Sequence, residues 1–488
     1  MMDHRQKTIE KLIVRISELE EKLGISPTWM PPELEKDERP LFPKSLKNTK
    51  IGIVQETTPT GTLRLIYRKF FKRFVIMRRL FQWVWRHGYP IYANNAAKLS
   101  LRQRTKWRSL ISLGEYSKKT GLTIHKLTNT EVVKTPPPIV FPASYQNYLE
   151  SPHDQYEFPE VSVVVLENGM INGGSNLVLV DGYAICHDLF DPVQDCTSEE
   201  LHGRAIIDPG LMRIRCLSHD NEPVKLQKAA TFVDACASNY AHWLTEVLPR
   251  VVLFCLDERY KTVPIVVNAG LHQNILDSLL DVAGFEREII QLSVERTLCV
   301  RELYITSVAG YVPFDRRKKN IQCYSHGKFS PDALGMLSRC MSNLHNISKG
   351  YDSPEKVFIR RNSGSRKVIN ESQIEKLLVA EGYLIVEPEK LTFSQQVQVF
   401  SNAKSVIGSS GAALANMIFL PSNAHIVILI GQYSDTSYWY WQNIACASGN
   451  LVNYVFGSTK DSKADGIHSD FSINPSDLAQ AINKLGEG

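Results

Sequence analysis

Apolar positions recur along this chain with two periods, and the switching between them lays out its elements. From about residue 121, short apolar runs alternate with stretches whose apolar positions fall three and four apart. That is the pattern of buried strands separated by amphipathic helices. SVVVLENGMI and NLVLVDGYAICH read as a β-rich entry with a turn at Gly173-Gly174. TFVDAC is then a strand, NYAHWLTEVLPRVVLFCL a helix, PIVVNA a strand, HQNILDSLLDVAG a helix and EIIQLS extended. A second series starts near 331, with PDALGMLSRCMSNLHN helical, KVFIRR a strand and NESQIEKLLVAEGY a helix capped by Asn370. LIVEP, SVIG, HIVILIG and LVNYVF follow as strands. Between them stand TFSQQVQVFSNA, opened by the capping box Thr392-x-x-Gln395, then GAALANMIFLP and SYWYWQNIACASG, all read as helices.

Helices of this length between short strands predict βαβ units and parallel sheets. The expected fold class is α/β, with two Rossmann-like domains, 121–330 and 331–470, facing a cleft. NPSDLAQAINKLG, within 471–488, is expected to be a closing helix that crosses back to the first domain.

The pattern upstream is different. Residues 8–24 place Ile9, Leu12, Ile16, Leu19 and Leu23 at alternating spacings of three and four. The helix expected over 1–24 therefore carries an a/d seam of about two heptads, suited to its own protein or to a homodimer or partner helix. PTWMPPELEKDERPLFP then reads as a linker into an extension over 25–120.

Charge changes the picture there. The whole chain is only +5, yet between Thr57 and Gly114 it has thirteen Lys and Arg and no acid. Within that span, from Leu63 to Gly88, Arg and Lys interleave with Phe, Tyr and Trp at helical spacing. The composition of 63–108 predicts peripheral membrane contact. A solvated helix and a nucleic-acid face are the alternatives, and the partner reading carries no nucleic acid.

Composition excludes several classes. With 43% hydrophobic and 22% charged residues the chain reads as globular. It has no apolar run of about 18 residues that would predict a transmembrane helix. MMDHRQKTIEKL lacks the apolar core of a secretory signal, and the nine cysteines show no CxxC spacing. The expected setting is the cytoplasm, on the inner membrane surface.

Three constellations carry chemistry. Asn239, His242 and Glu246 lie three and four apart, on one helical face, where a His and a Glu can act as base and orienter. Arg360 and Arg366 follow the strand KVFI, where guanidinium groups suit phosphate oxygens. Arg360 and Arg361 are adjacent in an extended stretch, so one of them points away. Gly408-Ser409-Ser410-Gly411 ends a strand and starts a helix, so backbone N–H groups converge there on an anion.

The set NYAHWLTEVLPR, VFIRRNSGSRKVINESQIEKLL and GYLIVEPEKLTFSQQVQVFSNAKSVIGSSGAALANMIFLP resembles the family-61 glycosyltransferases, which include proteins labelled capsular polysaccharide biosynthesis proteins. The likeness spans roughly 121–460. It implies a GT-B fold and an inverting glycosyl transfer from a nucleotide sugar, with no metal and no other cofactor. The acceptor implied is a glycan or lipid-linked sugar in capsule or exopolysaccharide synthesis.

Carried over by position, Glu246 and His242 are catalytic, and Asn239 and Asn370 are acceptor-side. Arg360, Arg366, Gly408, Ser409, Ser410, Gly411 and Asn416 are donor-binding. The chain departs from the family pattern at Ser410, where many relatives have histidine, and at Ile428, where some have glutamate. Those departures are what a non-catalytic scaffold of the same fold, the rival reading, would also predict.

Overall fold

The computed structural model describes residues 106–485, apart from 150–153, 202–203, 217–221, 295, 314, 318–326, 346–352, 363–364, 433–438 and 460–468. The heptad helix over 8–24 and the basic aromatic stretch Leu63 to Gly88 lie outside the described residues. No described helix is long and apolar enough to cross a membrane.

The fold is mixed α/β, built on two main sheets. The first has eleven strands, and only part of it follows the predicted parallel pattern. Thr297–Thr306, Val224–Thr231, Ile265–Asn268 and Ile289–Leu292 run parallel, joined by the helices that the periodicity predicts. The long strand Ser162–Asn172 pairs antiparallel with Thr297–Thr306 and carries the sheet into an antiparallel half. That half takes in Arg108–Ser112, which pairs antiparallel with Arg213–Cys216 and, as the exception there, parallel with Tyr183–Cys186. Residues grouped by charge with the basic extension are therefore a strand of the first sheet, followed by the helix Leu113–Thr120.

The second sheet is closer to expectation. Lys356–Ile359, Leu384–Val386, Ser405–Ser409, His425–Gly431 and Leu451–Thr459 are parallel, and their spatial order places the second strand first and the first strand second. The order reverses between Lys356–Ile359 and Ser405–Ser409, where open α/β sheets leave a crevice beyond the strand ends. The capping box at Thr392 forms as read, with the Thr392 side chain accepting from Gln395 N–H.

Three local expectations are corrected. GAALANMIFLP forms a 3₁₀ run, Ala412–Phe419, and the Asn416 amide donates to the Ala413 carbonyl inside it. Asn370 holds the N-cap position of its helix as read, but its side chain makes no capping hydrogen bond. Its side chain instead exchanges two hydrogen bonds with the Ile473 backbone, at 2.8 and 3.0 Å. The final helix, Pro475–Leu485, stays on the second sheet, and the crossing is made from the other side. Val140–Phe141, from the first half of the chain, pairs parallel with Leu451–Thr459.

One hydrophobic cluster runs through both halves. It holds Val251, Val252 and Phe254 of the helix Leu248–Leu256 together with Val406, Ile426 and Ile428 of the second sheet. Each large apolar side chain fully buried there contributes about 1.5–3 kcal/mol. This joint places Tyr240–His242 and Trp243–Val247 of the first half against Ala412–Phe419, the run that follows the second sheet's glycine turn.

Candidate active site

The segment with His242 and Glu246 is not a plain helix. Asn239 caps it by accepting from Ala241 N–H at 3.0 Å, and Tyr240–His242 begins as α-helix. Trp243–Val247 then widens to a π-turn closed by Leu248 N–H on the Trp243 carbonyl. The cause is readable in Pro249, which has no N–H to return to the Thr245 carbonyl and so breaks the i→i−4 ladder. Gly310 lies against the exposed backbone of this turn. A Cβ there would overlap the Thr245 carbonyl oxygen and crowd Glu246.

The π-turn leaves His242 and Glu246 in contact, with Nδ1 and Oε1 2.5 Å apart. Their side chains are 22% and 11% exposed. Burial opposes a charged imidazole, but the adjacent Glu246 carboxylate raises the His242 pKa above its ordinary value. Burial raises Glu246 as well, and His242 opposes that rise. The two groups therefore hold a proton between them, across His242 Nδ1 and Glu246 Oε1.

A second layer fixes the pair. Arg250 donates from Nε to the Glu246 carbonyl at 2.9 Å and from Nη2 to Asp234 at 3.2 Å. Asp234 also accepts from Asn176 at 2.9 Å and from Cys236 N–H at 2.8 Å. Neither Asp234 nor Arg250 was singled out from sequence as a site residue, although both carried a signal. Asp234 stands in TFVDAC just past a parallel strand, and Arg250 continues the i, i+4 series of His242 and Glu246. Beside the pair opens a cavity lined by Asn176, His187, Glu199, Asp234, Tyr311 and others, with His242 and Glu246 in its wall.

The glycine turn lies across the joint. Ile359 pairs with Gly408 in register, so the residues after both strands emerge together at the order reversal. Arg361, not Arg360, meets the turn: a Cβ on Gly411 would overlap the Arg361 guanidinium. The Ser365 carbonyl accepts from Arg361 Nε at 3.0 Å and holds the side chain in place. Arg360 takes the opposite face, bound to Glu375 at 2.6 Å and 3.9 Å from Glu387. Arg366 follows Ser365 in the left-handed region, with φ 59°.

The turn is less open than its glycines suggest. Ser410 N–H is spent on the Leu429 carbonyl, and Ser410 Oγ accepts from Trp441 Nε1 at 3.1 Å. Ser409 is buried in the strand. Gly408 lies close under Ile359 and Leu414, a packing position. Ile428 is fully buried in the shared core. Asn416, expected at the donor, is also fully buried. It accepts from the Tyr240 hydroxyl at 2.9 Å and donates to Gln396 at 2.9 Å, so it ties the two halves together. Asn370 lies with Ile473 at the chain's far end, as above, away from His242.

A chain of rings connects the pair to the turn. Tyr440 stands 6.5 Å from the His242 ring and 4.5 Å from Trp441, whose indole reaches Ser410. Tyr440 had no readable signal in the sequence, because its contact depends on how the second sheet docks.

Comparison with known proteins finds a family match across this region. The family model described as Glycosyltransferase 61 matches residues 240–427, from the residue after the Asn239 cap to the strand that follows the glycine turn. No curated protein matches the chain. The matched region supports glycosyltransferase activity, and it spans both the His242–Glu246 pair and the Arg361–Gly411 contact.

Proposed function

We propose that this chain, which carries a family-61 glycosyltransferase region, moves a sugar from a nucleotide-sugar donor to an acceptor hydroxyl by an inverting, metal-independent displacement on a GT-B plan. The observation that carries the reading is the placement of a His–Glu pair and an arginine-backed glycine turn on two sides of one joint. His242 takes the acceptor proton at Nε2, while Glu246 holds the ring through Nδ1 and stabilises the imidazolium that forms. The acceptor oxygen bonds to the anomeric carbon from the face opposite the nucleotide, and the diphosphate leaves with the bonding electrons. Arg361, at the order reversal of the second sheet, receives the developing charge together with the first turn of the run that starts after Gly411.

The acceptor reaches His242 through the cavity beside it. A glycan or lipid-linked sugar of a capsule or exopolysaccharide fits the family resemblance. The cationic aromatic stretch over 63–108 would bring the enzyme to an inner membrane surface, a reading supported by composition alone. The seam over 8–24 would serve a homodimer or partner.

Titration calorimetry of the full chain with UDP, GDP, CMP and dTDP, in EDTA, tests the donor side. Micromolar binding of one nucleotide, lost in Arg361→Ala, is the expected result. A folded protein silent toward all four would overturn the donor reading in favour of a scaffold.

A further inference from the structure

Arg250 grips the backbone of Glu246 from inside the first half. Its Nε donates to the Glu246 carbonyl at 2.9 Å, and its Nη2 donates to Asp234 at 3.2 Å. The side chains of Arg250 and Asp234 are 11% and 5% exposed, so this is a buried ion pair. Asp234 is itself held at every polar atom. Its carboxylate accepts from Asn176 Nδ2 at 2.9 Å and from Cys236 N–H at 2.8 Å. Its N–H donates to Asn268 Oδ1 and its carbonyl accepts from Asn268 Nδ2, both at 2.9 Å. Asn268 ends the strand Ile265–Asn268, so the anchor stands on the parallel part of the first sheet.

A guanidinium that clamps Glu246 also brings a positive charge to the His242–Glu246 pair, and a cation there disfavours protons on either group. Asp234 offsets that charge. Burial opposes a charged His242 ring, and Glu246 and then Asp234 overcome it. Burial raises the Glu246 carboxyl and His242 opposes the rise; beyond them, Asp234 raises it and Arg250 lowers it. The two outer charges therefore act on the pair in opposite directions. Most other groups near the ring are neutral. Burial raises the Cys236 thiol and the Tyr440 phenol, which meets the ring from the second half. It pushes Cys186 up to about 12, and burial with the Arg250 charge pushes His187 down to about 3. The Tyr311 hydroxyl donates to Asp195 at 2.9 Å. Cys196 and Glu199 complete the titratable groups of the cavity wall, and Glu199 accepts from Ser175 Oγ at 3.0 Å and Asn176 N–H at 2.8 Å.

We propose that Asp234 is a positioning residue of the transferase: it neutralises Arg250, so that the guanidinium holds the Glu246 backbone in place without its charge opposing protonation of His242. The inference rests on the transferase reading above and adds to it a residue that acts through Arg250. In that reaction His242 must keep the proton it takes from the acceptor hydroxyl, and an unbalanced cation beside it would oppose the step. Removing one partner of a buried ion pair leaves such an unbalanced charge, whereas removing both does not.

The test needs neither donor nor acceptor. The full chain, with isotope-labelled histidine rings, is titrated by NMR from about pH 5 to 9, and the His242 signal is assigned by its loss in His242→Gln. Asp234→Asn keeps the shape and removes the charge, and should lower the His242 midpoint by about one pH unit. Arg250→Gln, the opposite loss, should raise it by about as much. The double variant Asp234→Asn/Arg250→Gln should return the midpoint close to the wild-type value. Asn176→Ala, which removes only a neutral donor to Asp234, should lower the melting temperature and leave the midpoint in place.

A midpoint that Asp234→Asn leaves in place, in a protein that still melts cooperatively, would overturn the inference. So would a double variant displaced as far as Asp234→Asn alone, because the effect would then not pass through Arg250. Should Asp234→Asn fail to fold, Arg250→Gln decides, and an unmoved or lowered midpoint there overturns the inference as well. Failure of every nucleotide to bind in the calorimetry above would strike the transferase reading while these titrations stand, so the two failures are separable.

Discussion

The Tyr240 hydroxyl donates to the Asn416 side-chain oxygen across 2.9 Å, and that bond joins the segment carrying His242 and Glu246 in one half to the run after the glycine turn in the other. Asn416 is fully buried, and its amide donates onward to Gln396. A buried amide satisfied on both sides holds two elements in one register, because any sliding leaves polar atoms unpaired.

Breaking this bridge should therefore cost stability more than chemistry. Tyr240→Phe removes one buried hydrogen bond and should cost about 1 kcal/mol in urea unfolding. Asn416→Leu leaves the Tyr240 hydroxyl and the Gln396 carbonyl oxygen unsatisfied and should cost about 2–4 kcal/mol. Equal stability of wild type and Asn416→Leu would mean the two halves do not depend on this contact.

The pH profile should report the His242–Glu246 pair. A base must be neutral to accept a proton, and Glu246 raises the His242 pKa above that of free imidazole. The value of kcat/KM should accordingly rise with pH through an inflection above about 6.5. Glu246→Gln removes the charge that raises it while burial remains, so the inflection should move down. Loss of the orienting carboxylate should lower kcat by about 100-fold or more. The same raised pKa stabilises the fold at low pH, and that contribution fades as pH rises through the folded value. A profile that Glu246→Gln leaves in place would remove His242 from the role of base.

Arg361 and Arg360 should separate cleanly. Arg361→Ala should weaken nucleotide binding at least about tenfold with little change in melting temperature, because it lies over Gly411 at the strand ends. Gly411→Ala should mimic it by pushing the flexible guanidinium aside. Arg360→Ala unpairs Glu375 and should cost about 1–2 kcal/mol of stability while nucleotide affinity holds. The reverse pattern would return the phosphate role to Arg360.

Gly310 offers a test of the π-turn. Its added methyl in Gly310→Ala would overlap the Thr245 carbonyl oxygen, a backbone atom that cannot swing away. The expected outcome is about 1–3 kcal/mol of destabilisation together with reduced kcat, as Glu246 is displaced. A variant with wild-type melting and turnover would show that the turn is not held from this side.

Local pattern carried most of the elements. The alternation from Val224 to Thr459 was legible because side chains three, four and two apart report the face each element buries. The capping box at Thr392 and the His242–Glu246 pairing belong to the same class, since their partners lie within one turn of helix. Even the π-turn had a local cause in Pro249.

The tertiary structure decided the rest. Alternation in an extended chain required Arg360 and Arg361 to part, but only docking of Ile359 beside Gly408 chose Arg361 for the turn. Asn416 looked like a donor ligand by its place after the glycines, and the packing of Tyr240 against it made it a buried bridge instead. The antiparallel half of the first sheet, the strand Arg108–Ser112 inside it and the crossing of Val140–Phe141 all rest on pairings between residues far apart in the chain. Periodicity says which face of an element is buried and not what buries it, because hydrophobic burial is non-directional and the choice of partner is made only when the whole core closes.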